Sequence, residues 1–85
     1  MSVRFKFVNM NRVDLVESFP KESEGMELIR ILNQKVPIEN KYYRISTYAS
    51  GQPVISYLEL TQKFADVGIS GQECTVYVTA STEMP

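Results

Sequence analysis

Val3-Arg4-Phe5-Lys6-Phe7 opens the chain with apolar and charged positions in alternation. That period of two belongs to a strand with one buried face, so the spacing predicts a strand over Val3–Val8. Asn9 to Arg12 interrupt it with two turn formers. A second β-rich run follows, Val13–Phe19, and the pair reads as a hairpin. Pro20 ends that run, since it fixes φ and lacks a donor. Ser23 is a candidate helix N-cap, with Glu22, Glu24 and Glu27 placed to complement the positive helix start. Leu28, Ile31 or Leu32, and Lys35 or Val36 then recur at helical spacing, with Met26 and Ile29 widening the stripe. A helix over Met26–Lys35 is predicted, stopped by Pro37.

After a connector, Tyr42–Tyr48 is aromatic and β-branched, which predicts a third strand. Ser50-Gly51 makes a turn, and Gln52–Ile55 is expected to form a short edge strand, where Pro53 is tolerated. Ser56–Phe64 fits either a helical turn or a loop laid on the core. Phe64–Ile69 reads as a compact turn ended by Gly68. Cys74 to Ala80 alternates again, with Cys74, Val76, Val78 and Ala80 inward and Thr75, Tyr77 and Thr79 outward. Residues 1–80 thus form one domain, and 81–85 are expected to fray. A single amphipathic helix must cover one face of a sheet, so the class is a two-layer α+β domain with a mixed sheet of four to five strands. The first and last strands alternate most strongly and are expected to pair in parallel at its centre.

Composition narrows the chemistry. The 85 residues include no His, no Trp and one Cys. No imidazole relay or imidazole metal site can be built, and Cys74 alone makes neither an internal disulfide nor a thiolate-rich metal site. No carboxylate pair or other catalytic constellation is evident, so the expectation is a protein that is not an enzyme, with no cofactor and no metal. Nine basic and ten acidic side chains leave a net charge of −1, which gives no field to attract nucleic acid. No apolar run resembles a signal peptide or a membrane span, so no membrane insertion is expected. A reducing cytoplasmic compartment, with the nucleus possible, is the expectation for a chain with one thiol.

The segment from Lys63 to Val78, Lys-Phe-Ala-Asp-Val-Gly-Ile-Ser-Gly-Gln-Glu-Cys-Thr-Val-Tyr-Val, resembles the last third of ubiquitin-like domains. Those carry an apolar-x-Asp-apolar-Gly/Asn-Ile turn, a polar loop and a strand. Ala49 to Val54 is similar to their third-strand turn and short edge strand. The resemblance implies a ubiquitin-like β-grasp fold and a binding or modifying role rather than catalysis. It departs at the end: Thr82-Glu83-Met84-Pro85 lacks the Gly-Gly that such modifiers conjugate.

The exposed sheet face commonly binds partners in that family. By alternation it would carry Arg4, Lys6, Arg44, Ser46, Tyr48, Tyr77 and Thr79, a basic, tyrosine-bearing patch suited to acidic or polar protein partners. Tyr and Arg are enriched at interface centres, though Tyr and Thr also favour solvated strands. The expected function is a non-enzymatic interaction module or adaptor, docking its partner on this face or by strand addition at an open edge. Two alternatives stand beside it. One is a modifier or carrier with an atypical or processed tail; the other is an accessory ubiquitin-like component of a bacterial type VII secretion system. Lys6 resembles the first-strand Lys of Phox/Bem-type modules, but the matching acidic cluster is absent. Cys74 is expected to be core.

Overall fold

A computed structural model describes all 85 residues. Strand β1 (Ser2–Phe7) pairs antiparallel with β2 (Leu15–Ser18), closing the expected hairpin. Helix α1 (Met26–Lys35) follows, then β3 (Tyr42–Ser46) and β4 (Glu73–Ser81). The sheet order is β2-β1-β4-β3, and β1 and β4 lie parallel at its centre. This is an α+β domain with the strand order of a β-grasp.

Alternation places Val3 and Phe5 of β1 and Val76 and Val78 of β4 on the inner face, all with no exposed surface. α1 lays Leu28, Ile29, Leu32 and the following Val36 against them. Phe19 meets Phe5 and Phe64 edge-on at centroid distances of 6.5 and 5.6 Å, joining hairpin, helix side and C-terminal turn in one core. Cys74 is half-buried against this cluster.

The expected Ser23 cap does not form. Gly25 occupies the N-cap without a side-chain bond. Ser23–Gly25 instead runs beside Gln62–Phe64: Gly25 N–H donates to the Gln62 carbonyl and Phe64 N–H to that of Ser23. A Cβ on Gly25 would sit 2.7 Å from Leu60 Cδ2 and 3.1 Å from Leu60 Cα, so a side chain here would force Leu60 to shift. Met26, expected in the apolar stripe, is instead 36% exposed at the helix start.

The expected edge strand Gln52–Ile55 shrinks to one bridge between Ile55 and Ile45, so the sheet has four strands. The uncertain segment forms a 3₁₀ turn, Glu59–Thr61, that drives Leu60 fully into the core. A second 3₁₀ turn, Phe64–Val67, ends at Gly68 with φ 86°, as the sequence predicts. β4 runs on to Ser81, opposite Tyr42. No helix is long and apolar enough to cross a membrane.

Candidate functional site

The register of the sheet assembles the outer face row by row. Arg4 stands between Val16 of β2 and Thr75 of β4. Lys6 stands beside Tyr77, and Tyr77 beside Ser46. Arg44 lies opposite Thr79, and Tyr42 opposite Ser81. Partners across a ladder share a face, so these side chains lie on the side away from α1. Arg4 and Lys6 are exposed; Arg44, Tyr77 and Thr79 are half-buried. These residues of the expected patch do come together on one surface.

Two residues do not. Ser46 faces this side by register, beside Tyr77, but is 1% exposed, against the expectation of an accessible hydroxyl. Its Oγ accepts the N–H of Tyr48 at 3.0 Å, so it is spent on the turn that leaves β3. Tyr48 is 57% exposed but lies beyond the end of β3, outside the cross-strand rows.

Other members of the face were missed. Tyr42 shares parity with Arg44 and is 39% exposed; Tyr57 packs on it edge-on at 6.4 Å. Counting back two from Arg44 would have found Tyr42. Burial pushes the Tyr57 hydroxyl above its ordinary pKa, with Tyr42 adding to the rise. Val8 and Val16 contribute half-exposed apolar surface. The four-residue spacing of Leu15 and Phe19 carries the signal that Val16 faces out.

The electrostatics are simple. Asp14 lies 3.4 Å from Arg4 Nη1 and is the acidic group paired to this face. Exposed pairs of this kind contribute about 0–1 kcal/mol, so Arg4 stays available. Lys6 and Arg44 have no ionic partner. Arg44 Nε is buried without a hydrogen-bond acceptor. A buried unpaired donor costs about 1–3 kcal/mol.

The fold and this face together define a small α+β domain of β-grasp-like topology with one sheet face that α1 leaves uncovered. No protein-family model matches the chain, and no curated protein or solved structure shows significant similarity to it.

Proposed function

We propose that this chain is a ubiquitin-like, non-catalytic interaction domain that docks an acidic or polar protein partner on the outer face of its sheet. One observation carries the reading: α1 covers only one face of the sheet, while on the other Lys6 stands beside Tyr77 and Arg44 diagonally across from it, neither with an anionic partner of its own. Tyr77 supplies a flat, half-buried anchor, and the two cations supply steering and acceptor recognition. Tyr42 and Val16 extend the surface toward its two ends. The ubiquitin-like resemblance of the segment from Lys63 to Val78, set on a β-grasp topology, supports the same role.

The test is affinity purification with partner identification, repeated with a Lys6→Ala/Arg44→Ala/Tyr77→Ala variant. The variant should melt cooperatively, as wild type does, and lose the partner. Loss of about 2 kcal/mol per anchor is typical of interface centres, so the combined effect should exceed a hundredfold in Kd. A folded variant that captures the partner undiminished places the interface elsewhere.

A further inference from the structure

Tyr42 and Tyr57 form the one tyrosine pair of the molecule, edge-on with ring centroids 6.4 Å apart. The other two close aromatic contacts lie in the core among Phe5, Phe19 and Phe64. The tyrosine pair instead lies at the surface: Tyr42 is 39% exposed on β3, and Tyr57 is half-buried. Neither hydroxyl donates to a protein group, whereas that of Tyr43 donates to the Val36 carbonyl.

The pair spans a lightly tied seam. Tyr42 belongs to β3, whereas Tyr57 ends a segment that meets the sheet through one bridge, where Ile55 N–H donates to the Ile45 carbonyl at 2.8 Å. The chain has no Trp, the side chain that otherwise competes most strongly as a one-electron donor. Its one thiol, Cys74, stands beside Val3 on the inner face, while Tyr42 lies opposite Ser81 at the other end of β4. Tyrosine is therefore the ready one-electron donor on this surface.

We propose that Tyr42 and Tyr57 are an oxidative cross-linking site, joined as dityrosine by hydrogen peroxide acting through a one-electron peroxidase. Each phenol loses its hydroxyl hydrogen, as one electron and one proton. The two radicals carry spin on the ring carbons ortho to oxygen, and one such carbon of each ring joins the other. The hydrogen left on each bonded carbon then passes to the oxygen of its own ring, which restores both phenols. The pair thus gives up two electrons and two protons, and one peroxide becomes two waters. Holding the rings in contact replaces a diffusional encounter of two radicals with a local one. The product fastens the segment from Gly51 to Tyr57 to β3, beside its single backbone bridge. It needs no partner on the outer face, so it is independent of the docking reading.

The test treats dilute protein with a haem peroxidase and hydrogen peroxide, and follows dityrosine fluorescence, intact mass and the peptides of a digest. A monomer lighter by two hydrogens should form, beside any oxygen added at methionine, with Tyr42 and Tyr57 in one cross-linked pair of peptides. Tyr42→Phe and Tyr57→Phe keep the ring, so each should fold and lose that product. Tyr48→Phe removes the most exposed tyrosine and should leave the product in place. Treatment should raise the Tm of wild type by at least about 5 °C relative to its effect on Tyr57→Phe, because a closed loop of about 15 residues restricts the unfolded chain. Cross-links that map to Tyr48 or Tyr77, covalent dimers as the main product in dilute solution, a cross-linked monomer that survives either Phe substitution, or no relative gain in Tm would each overturn the proposal.

Discussion

Tyr43 shows how much one side chain does in a core this small. Its ring is 2% exposed, on the inner face of β3, and its hydroxyl donates to the Val36 carbonyl where the helix ends. The bond satisfies one of the carbonyls that every helix C-terminus leaves open. Burial raises the phenol pKa above the ordinary 10.0, and the nearby Arg12 offsets only part of the rise. The neutral phenol is thus favoured in the folded state. Its contribution is intact below about pH 10, and it falls as pH climbs from the unfolded-state value through the folded one, where the unfolded chain holds fewer protons. Thermal melts should therefore lose stability on the alkaline side, as pH rises above about 10. Tyr43→Phe should cost about 1–3 kcal/mol at neutral pH, because the Val36 carbonyl is left unpaired. It should also flatten the alkaline slope. A variant with the wild-type slope would assign that slope to other groups, Tyr57 first among them.

Among the elements, the loop from Val8 to Asp14 is held by a contact that hydropathy patterning could not show. Asn9 uses its side-chain amide as a surrogate peptide group: Nδ2 donates to the Ala80 carbonyl and Oδ1 accepts the Ala80 N–H, both at 2.9 Å. Val8 N–H donates to the Val78 carbonyl just before it. The side chain thereby lengthens the β1–β4 ladder by one step. Asn9→Ala should cost about 1–2 kcal/mol through two lost bonds, and the Ala80 amide should lose hydrogen-exchange protection while Val76 keeps its own. Uniform loss along β4 would mean that Asn9 supports the whole strand. The same distinction explains what patterning reveals. The periods of β1, β4 and α1 were legible, because each turns one apolar face to the core. Ser23 and Ser46 misled for a shared reason. Both are short polar residues at element ends, and each serves the turn or loop beside it rather than the cap or face that their residue type suggests. Gln52–Ile55 carried strand-like residues but offers a single bridge, and the packing of Leu60 beneath Gly25 was a tertiary contact with no local signal. Of the candidate face, parity placed Arg4, Lys6, Arg44, Tyr77 and Thr79, while the end of β3 at Ser46 removed Tyr48.

Over the whole molecule, the start of the chain is locked to its end. Six residues of β1, Ser2 to Phe7, pair in register with Glu73 to Val78. The order of elements makes this the longest-range contact, so it forms only after the intervening loops have closed. Phe5 stands where that contact meets the rest of the core: opposite Leu15 on one side and Val76 on the other, with its ring against Phe19. The near-zero net charge also gains a spatial sense. Lys6 and Arg44 lie on the open sheet face, and Glu24 and Glu27 lie around the start of α1. Neither surface contributes much to holding the fold, because both are wet. That leaves stability to the single core around Phe5. Phe5→Ala should remove about 3–5 kcal/mol, the usual cost of deleting a buried phenyl. A domain of this size sits near the low end of about 5–15 kcal/mol, so the variant should be largely unfolded at body temperature. Far-UV circular dichroism and tyrosine fluorescence should lose signal together, since one core permits no partly folded half. If β2 and α1 kept their structure while β4 came free, the parallel pairing would close a subdomain that is already stable, and Phe5 would not be the residue on which the molecule's cooperativity depends.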